Sequence, residues 1–349
     1  MKIAVDCRMI GSSGIGTFIE NIIPYMISQT DNTFVLIGDP ARLSVFDHDR
    51  CRIIPCLYPI FSIKEQFKYP VSRVNQCDVF YTPNYNIPRG IKIPVFCTIH
   101  DIVFLDVNGL CSPLKKFIVK YFLQRALKIS FCVFTVSNFS KSRIIDRFQG
   151  TYKIHVVGNG ISRKLKQYRE KHPIVTEKKG ICFIGNLKKY KGLKTLLQAY
   201  RLLKEQNQKV ELTVIGNIDL HSKDEKTIDE LHAQSHEIRF ITHATDEMVY
   251  STIAHSEILV SPSSYEGFGI PPLEALYLGT DVIIADIPTY KEIYHELPVT
   301  FFEVGNANDL CHKIIEHKEM QVKVAETIDR LYNYEKTAKM IIDEISKVK

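Results

Sequence analysis

Two glutamates, Glu266 and Glu274, flank the sequence GFGIPPL in the C-terminal third of the chain. The preceding run SEILVSPS is typical of a β-strand, and PPLEALYLG predicts a helix that begins at one of its two prolines. Gly267 and Gly269 let the backbone approach a ligand, and a helix start offers free N–H groups to an anion. A carboxylate can accept two hydrogen bonds from neighbouring sugar hydroxyls. The whole pattern favours a ligand with phosphate and sugar groups, although either glutamate alone would more simply be a solvated side chain.

A basic residue follows another predicted strand and turn. In GICFIGNLKKYKGL, Lys191 stands at the start of a predicted helix, where its ammonium can neutralise an anionic group of a ligand. We interpret Lys188 and Lys189 of the same turn as solvated surface residues.

The loop GSSGIG, residues 11–16, follows the first predicted strand and opens a helix. Its spacing approaches the dinucleotide fingerprint without matching it, and Asp39 after the next strand could serve as the ribose acid of a nicotinamide site. Gly14 and Gly16 either let the backbone approach a diphosphate or form a plain tight turn.

His100 and Asp101 directly follow the predicted strand PVFCTI. Ligands of open parallel sheets bind beyond the carboxyl ends of the strands, so this pair is a candidate for ligand contact. The alternative is a histidine with a purely structural role.

The triplet Asp47-His48-Asp49 has the D-x-D spacing of a metal site but lies in a polar loop apart from the other motifs. We interpret it as solvated charge and expect no metal ion to be required.

A predicted helix over 113–128 combines lysines with aromatic residues. Lys116, Lys120 and Lys128 share one stripe, and Phe117, Ile118, Tyr121 and Phe122 form a broad apolar side. Such a helix can bind at a membrane surface, or it can be an ordinary packed helix with a solvated stripe.

Strand-like and helix-like segments alternate along the whole chain, which predicts an α/β protein with parallel sheets covered by helices on both faces. One helix is predicted over 63–75. The predicted strands are KIAVDC, FVLIGD, DVFYTP, PVFCTI, FCVFTVS and IHVVGNG in the first half, and GICFIG, VELTVIG, IRFIT, EILVSPS and TDVIIAD in the second. A charged, proline-containing stretch interrupts this alternation of strands and helices, which resumes after it. We therefore predict an N-terminal domain over 1–163, a linker over 164–179, a C-terminal domain over 180–330 and a C-terminal helix over 331–349.

Composition limits the choice of partners and compartment. Residues 1–163 contain 20 Lys and Arg against 11 Asp and Glu, so this half is suited to an anionic partner. The nine cysteines form no C-x-x-C pair and several lie in apolar runs, which predicts buried, reduced thiols. The N-terminus reads as a strand rather than a secretory signal, and we expect a cytoplasmic protein.

Four stretches together resemble conserved blocks of the family 4 retaining glycosyltransferases, and the resemblance runs along the whole chain. These are SPSSYEGFGIPPLEALYLGT, which carries the EX7E motif, CFIGNLKKYKGL, CTIHDIVF, and TVSNFSKSRI followed by VVGNGI. The resemblance implies the GT-B fold, in which two Rossmann-like domains face an inter-domain cleft. It also implies that the N-terminal domain binds the acceptor, that the C-terminal domain binds the nucleotide sugar, and that the C-terminal helix packs back on the N-terminal domain.

The resemblance implies donor-binding roles for the residues that match the EX7E motif. Glu274 would bind the ribose hydroxyls of a nucleotide-diphosphate sugar, and Glu266 would contact its hexose. Backbone amides would hold the hexose and the diphosphate, namely those of Gly267, Phe268, Gly269 and Ile270.

The other matching blocks supply the remaining candidates. Lys191 would stabilise the diphosphate, and Gly14 and Gly16 would approach it from the N-terminal domain. His100 would bind the hexose near its 6-position, while Asp101 would orient His100 or meet the acceptor. Asn186 stands where the family usually has an arginine, which removes one positive charge from the diphosphate site.

The expected activity is therefore hexosyl transfer with retention, through a metal-independent front-face mechanism in which Glu266, Lys191 and His100 act. The quoted segments most resemble the bacterial O-antigen and capsule subgroup, which favours GDP-mannose as donor. The expected acceptor is a saccharide carried on a polyprenyl diphosphate, met at the cytoplasmic face of the inner membrane; no nucleic acid partner is expected. The alternatives are a UDP-sugar-dependent enzyme of the same fold, a nucleotide-dependent oxidoreductase, and a degenerate nucleotide-sugar-binding protein.

Overall fold

The computed structural model describes residues 1–217, 225–233, 236–318 and 324–348. The chain divides into two compact units, each built on one parallel sheet. Unit 1 comprises Met1–Asp106, Ser112–Ser162 and Tyr332–Lys349, and unit 2 comprises Val107–Cys111 and Arg163–Leu331.

Unit 1 contains a seven-stranded sheet in the order β3-β2-β1-β4-β5-β6-β7, with every neighbouring pair parallel. Its strands are β1 (Lys2–Asp6), β2 (Thr33–Gly38), β3 (Cys51–Pro55), β4 (Val79–Thr82), β5 (Val95–Thr98), β6 (Cys132–Thr135) and β7 (Ile154–Val156). Two buried clusters cover the faces of the sheet, which is why the central strands read as continuous apolar runs.

Unit 2 contains a six-stranded parallel sheet in the order β10-β9-β8-β11-β12-β13. Its strands are β8 (Ile181–Ile184), β9 (Leu212–Ile215), β10 (Ile238–Ile241), β11 (Ile258–Ser261), β12 (Asp281–Ala285) and β13 (Thr300–Phe302). The strand order reverses between β8 and β11, and in doubly wound sheets this switch point is where ligands bind.

The helices connect the strands in both units. Those of unit 1 are α1 (Ser13–Ser28), α2 (Pro40–Leu43), α3 (Ile63–Lys68), α4 (Val71–Val74), α5 (Val103–Asp106), α6 (Pro113–Ile129), α7 (Asn138–Arg147) and, near the C-terminus, α16 (Tyr334–Ile345). Those of unit 2 are α8 (Arg163–Lys171), α9 (Leu193–Glu205), α10 (Glu225–Ala233), α11 (Asp246–His255), α12 (Ile270–Tyr277), α13 (Pro288–Tyr294), α14 (Ala307–Ile315) and α15 (Ala325–Leu331).

The C-terminal helix α16 packs on α1 and completes the core of unit 1, which confirms that this helix returns to the N-terminal domain. The ring of Tyr334 lies 6.0 Å from that of Phe18 in an edge-to-face arrangement. Ile341 and Ile345 are fully buried in the same cluster. The last stretch of chain is therefore an integral part of the first domain.

The structure differs from the predicted elements in three places. The helix expected over 63–75 is two short helices, because Pro70 cannot continue α3 and Tyr69 before it adopts an extended backbone. The stretch expected as a linker over 164–179 contains most of helix α8, which packs on α11 in unit 2. Strands β3 and β13 have no counterpart among the predicted strands.

Candidate functional site

The strongest candidate site in unit 2 lies at the switch point between β8 and β11. The strands are hydrogen-bonded neighbours, so the loops that follow them leave the same edge of the sheet side by side. The first loop ends in a 3-10 turn, Lys189–Lys191, before α9, and the second runs to α12. Lys191 and Glu266 lie in these loops, and the sheet topology explains why they meet although 75 residues separate them.

The two loops lock together through their backbones. Gly192 has φ +74°, and a Cβ atom at this position would lie 2.0 Å from the carbonyl oxygen of Pro262, so only glycine fits. The carbonyl oxygen of Tyr190 accepts hydrogen bonds from the backbone N–H of Ser264, at 2.8 Å, and from its hydroxyl, at 3.2 Å. This fixed contact holds Lys191 against the loop that carries Glu266.

Lys191 and Glu266 form an ion pair. The ammonium Nζ of Lys191 lies 2.7 Å from Oε1 and 2.9 Å from Oε2 of Glu266, and both side chains are largely shielded from solvent. The structure thus brings together the two residues that the sequence assigns to the diphosphate and to the hexose. An anion at Lys191 would compete directly with Glu266.

The loop after Glu266 enters α12 through a left-handed glycine. Gly269 has φ +90° and precedes Ile270, the first helical residue, so the helix begins before the prolines rather than at one of them. Gly267, Phe268 and Gly269 are buried, and the early backbone N–H groups of the helix are those expected to hold an anion.

Two tyrosines of α13 support this loop, and sequence reasoning missed both. The hydroxyl of Tyr290 bonds that of Ser261 at 2.6 Å and approaches Oε1 of Glu266 at 3.5 Å. The hydroxyl of Tyr294 donates to the carbonyl oxygen of Gly269. Burial, followed by the nearby Glu266 carboxylate, raises the pKa of Tyr290 well above its usual value, so it remains a neutral donor. The available signal was two tyrosines four residues apart, which place both hydroxyls on one helix face.

Glu274 lies in the second turn of α12 and is half-buried. Burial, followed by the negative charge of Asp246 at the start of α11, raises its pKa to about 7. Within the part of the chain that the structure describes, no hydrogen bond or ion pair engages this carboxylate. Such a group gains from hydrogen-bond donors that a ligand can bring, for example two hydroxyls.

Three neighbouring strands, β8, β9 and β10, are followed by Asn186, Asn217 and His243 respectively. Asn186 is exposed just after β8. A Cβ atom at Gly216 would lie 2.2 Å from the carbonyl oxygen of Gly185, the residue before Asn186, so the backbones that follow β8 and β9 lie close together. The side chain of Asn217 accepts a hydrogen bond of 2.9 Å from the backbone of His243, which has φ +54°. These contacts connect the residues that directly follow β8, β9 and β10.

In unit 1, the two glycines of the first loop differ in their surroundings. A Cβ atom at Gly16 would lie 2.8 Å from the backbone nitrogen of Gly11 and 2.8 Å from the carbonyl oxygen of Met9. Packing of the loop on itself is thus a sufficient reason for this glycine. Gly14 is exposed and a Cβ atom there would meet nothing within 4 Å, so approach of a ligand at Gly14 stays a prediction. The carboxylate of Asp39 caps α2 by accepting from the backbone of Ala41 at 3.0 Å.

His100 lies two residues beyond β5 and is held as a neutral imidazole. Burial lowers its pKa to about 4, and a backbone hydrogen bond with Pro83 only partly opposes this. The ring of Phe18 lies 4.9 Å away in an edge-to-face arrangement. The Nε2 atom is enclosed and has no hydrogen-bond partner among the described residues, unlike the nitrogen of a purely structural histidine.

The remaining candidates of unit 1 are Asp101 and the lysines of α6. The carboxylate of Asp101 accepts a hydrogen bond of 3.0 Å from the backbone of Val103 and so stabilises the start of α5. Lys120 and Lys128 are exposed, whereas Lys116 is half-buried. Among the described residues, no helix has both the length and the apolar character needed to cross a bilayer.

One group in unit 1 has the residue types of a metal site. Ligand atoms of Cys132, His155 and Glu344 lie within 4.8 Å of one another. However, the ammonium groups of Lys153 and Lys347 both pair with Glu344. Although burial raises the pKa of Glu344, their hydrogen bonds hold it at about 2. Two resident cations already satisfy this carboxylate, so the group does not suit a third. The Asp47–Asp49 triplet is exposed on a loop before β3.

A family comparison matches more than half of the chain. The sequence profile described as "Glycosyl transferases group 1" matches residues 165–340, which include all the candidate residues of unit 2.

Individual relatives and a solved structure extend the comparison. The chain is 26% identical over 225 residues to the O-antigen chain mannosyltransferase B of Escherichia coli, covering 62% of this chain and 58% of that protein. It is 26% identical over 280 residues to the O-antigen biosynthesis glycosyltransferase WclY of Escherichia coli, covering 75% and 71%. The crystal structure of HepE from Anabaena in complex with UDP and glucose superposes with a TM-score of 0.72 at 18% identity, over 99% of both chains. The superposition on HepE shows that the two chains share a fold.

Proposed function

The chain belongs to the glycosyl transferases group 1 and has the GT-B fold, and from that premise we propose that it transfers a hexose from a nucleotide-diphosphate sugar to a saccharide acceptor, with retention of anomeric configuration. The observation that carries the proposal is the Lys191–Glu266 pair at the switch point of unit 2, beside the start of α12. A cation, a carboxylate and free helix N–H groups are what a sugar diphosphate requires.

The diphosphate binds between Lys191 and the first turn of α12 in this proposal. The ammonium exchanges its contact with Glu266 for the phosphate oxygens, and the negative charge that develops as the sugar leaves strengthens this interaction. Asn186 supplies hydrogen bonds but no charge, so Lys191 is the principal cation of the site.

Release from Lys191 leaves the Glu266 carboxylate to accept hydrogen bonds from the hexose. Glu274 accepts from the ribose hydroxyls, as the resemblance to family 4 implies, and its unpartnered carboxylate supports this role. Tyr290 and Thr289 hold Glu266 in place, since the hydroxyl of Thr289 donates to its backbone oxygen at 2.7 Å.

The chemical step is front-face substitution at the anomeric carbon. The bond between this carbon and the diphosphate oxygen breaks, and the acceptor oxygen forms a new bond on the same face. The proton of the acceptor hydroxyl passes to the departing diphosphate oxygen. His100, neutral at physiological pH, donates or accepts a hydrogen bond at the hexose without carrying the proton. The step as proposed requires no metal ion, and activity that persists in a chelator would support this.

The donor is proposed to be GDP-mannose, because the first relative described above is a mannosyltransferase. A UDP-sugar is the second candidate, since UDP is bound in the HepE structure that shares the fold. The O-antigen relatives support an acceptor that is a growing bacterial surface polysaccharide, which we propose is carried on a polyprenyl diphosphate.

A thermal-shift panel with GDP, UDP, ADP and dTDP tests the donor site. At about 100 times its Kd, one nucleotide should stabilise the protein by roughly 2.7 kcal/mol. The shift should be lost in Glu274→Ala and retained in Lys189→Ala, because Lys189 is exposed in the same unit. A shift with GDP would support GDP-mannose as the donor. A shift with UDP alone would support a UDP-sugar as the donor instead. Hydrolysis of the matching nucleotide sugar then separates an enzyme from a degenerate binding protein, which would bind without turnover.

A further inference from the structure

The outward face of α6 is apolar. Its exposed residues Leu114, Phe117, Ile118 and Tyr121 follow the i, i+3, i+4, i+7 spacing of a single helix face, and Leu114 and Phe117 are each 70% exposed. The same helix buries a different face in the core through Val119, Leu123, Ala126 and Leu127. Packing within unit 1 therefore accounts for one apolar face of α6 and leaves the other uncovered.

A second segment, residues 57–68, brings further apolar side chains to the same region. Leu57 is 70% exposed and Phe67 is 84% exposed, the latter on α3. The ring of Phe61 contacts that of Phe122 on α6, with 5.2 Å between the ring centres. The segment and the helix are thus adjacent. We call Leu57, Phe61 and Phe67, with the exposed apolar face of α6, the apolar platform.

Buried polar contacts fix the 57–68 segment. Glu65 is completely buried and pairs with Arg8 at 2.6 Å, while the side-chain amide of Asn86 donates to both of its oxygens at 2.9 and 2.8 Å. Its Oε2 also accepts from the backbone N–H of Phe61 at 2.9 Å. This contact holds Phe61 at φ +65°, a conformation that is strained for an aromatic residue. The exposure of Phe61 is therefore built into the fold.

The two segments that form the apolar platform also carry exposed positive charge. Residues 57–68 and 113–129 contain seven Lys and Arg residues, and their one acid, Glu65, is buried against Arg8. Lys64 and Lys68 are exposed on α3, and Lys120 and Lys128 are exposed on α6. Exposed apolar side chains together with exposed lysines are suited to bind the surface of a membrane that contains anionic lipids.

We propose that the apolar platform and its lysines dock unit 1 on an anionic lipid bilayer. Phe67 and Phe117 enter the boundary between headgroups and acyl chains, and the lysines contact the lipid phosphates. The charge pattern distinguishes this partner from a second copy of the chain, since two copies would bring like charges together. The proposal rests on the surface alone and holds whether or not the proposed sugar transfer is correct.

Vesicle flotation with the full chain tests the proposal. Wild-type protein should float with vesicles of phosphatidylcholine and phosphatidylglycerol, and should remain largely unbound with phosphatidylcholine alone. The double variant Phe67→Ser/Phe117→Ser should lose about tenfold or more in binding, because two large apolar side chains leave the membrane boundary. Lys64→Glu/Lys120→Glu should bind weakly as well, and added salt should weaken wild-type binding.

Matched control variants distinguish docking through the apolar platform from nonspecific adsorption to vesicles and from misfolding. Val45 and Ile174 are exposed apolar residues outside the platform, so Val45→Ser/Ile174→Ser should float as the wild type does. Lys209→Glu/Lys318→Glu changes charge by the same amount at exposed positions outside it. All variants should retain the wild-type Tm. The proposal is overturned if Phe67→Ser/Phe117→Ser floats like the wild type or if wild-type binding ignores phosphatidylglycerol. Light scattering that shows a dimer dissociated by this variant would overturn it too, and assign the platform to a second copy.

Discussion

The ammonium of Lys191 lies within 3 Å of both carboxylate oxygens of Glu266, and the two residues reach each other from loops that follow neighbouring strands of one sheet. Each residue satisfies the other's charge at a largely shielded position. A bound diphosphate would replace Glu266 as the partner of Lys191 and free that carboxylate for a sugar. In the proposed function, the pair would couple recognition of the phosphates to recognition of the hexose.

Lys191→Ala should lower kcat by about 100- to 1000-fold, because the charge that develops on the leaving diphosphate loses its principal cation. The donor KM should change less, since the interaction is strongest in the transition state. Steady-state kinetics with donor hydrolysis or transfer measures both constants. Lys189→Ala, at an exposed position two residues earlier, should behave as the wild type. A variant at Lys191 that raised only KM would contradict the leaving-group role.

Donor affinity should depend on the ionisation of Glu274. Its pKa is about 7, and in the proposed function the ribose hydroxyls bind its charged form, so affinity for a nucleotide sugar should fall about tenfold between pH 8 and pH 6. Calorimetric titration with the intact nucleotide sugar avoids ionisation of a terminal phosphate. In Glu274→Gln the affinity should be lower but independent of pH over this range. A variant that kept the wild-type pH dependence would rule out Glu274 as its source.

The raised pKa of Glu274 also predicts that its contribution to the free energy of unfolding decreases as pH rises, whereas donor affinity increases. A carboxyl whose pKa is raised in the folded state favours folding below its unfolded pKa, and this contribution is lost as pH rises through 7. Glu274→Gln should therefore have a higher Tm than the wild type at about pH 8, and the difference should shrink toward about pH 5. Thermal unfolding across this range measures it. Equal Tm values at both ends would contradict the burial of this charge.

His100→Asn should retain more activity than His100→Ala, because the amide can replace one hydrogen bond of a neutral imidazole. The pKa of His100 is lowered to about 4, so its favourable contribution to stability is present above about pH 6.5 and is lost as pH falls through 4. The wild type should lose Tm relative to His100→Asn as the pH falls from about 7 to 5. If both proteins lost stability in parallel, protonation of another group would be responsible.

Gly14→Ala and Gly16→Ala should have different consequences although two residues separate them. Gly16→Ala brings a methyl group within 2.8 Å of the loop backbone and should cost about 2–4 kcal/mol of unfolding free energy. Gly14→Ala meets open space and should fold as the wild type does. If Gly14 lies against the diphosphate, this variant should raise the donor KM. Denaturant unfolding and kinetics on the two proteins distinguish packing from ligand approach.

Much of the fold and part of the candidate site could be predicted from local sequence. The alternation of apolar strands with helices indicated two parallel sheets, since buried strands must be apolar on both faces. The pair Lys191 and Glu266 was found because each motif is contiguous and follows a strand. Their direct contact was not predictable in this way, because it depends on β8 and β11 being neighbours across 75 residues.

Other features were hidden because their signals are non-local. Tyr290 and Tyr294 belong to a helix after the next strand, and nothing in IPTYKEIY indicates that both hydroxyls reach the Glu266 loop. Lys116 was grouped with exposed lysines by its spacing, whereas the packing of α6 leaves it half-buried. The apolar side of the same helix could be assigned neither to the core nor to the surface, because a helix with two apolar faces does not reveal which one the fold covers.

The return of the chain to unit 1 at Tyr332 has a consequence for synthesis on the ribosome. The backbone N–H of Ile161 donates to the carbonyl oxygen of Tyr332, and a Cβ atom at Gly160 would lie 2.5 Å from Cα of Asn333. The segment that leaves unit 1 and the segment that returns to it therefore pack closely against each other. All residues of unit 2 have been translated before α16 appears. The middle of the polypeptide can therefore reach its native state first, while α1 waits for α16, which begins 306 positions after Ser28. A ribosome that stops before residue 332 would release a protein with one finished domain and one exposed, incomplete core, which is a substrate for proteases.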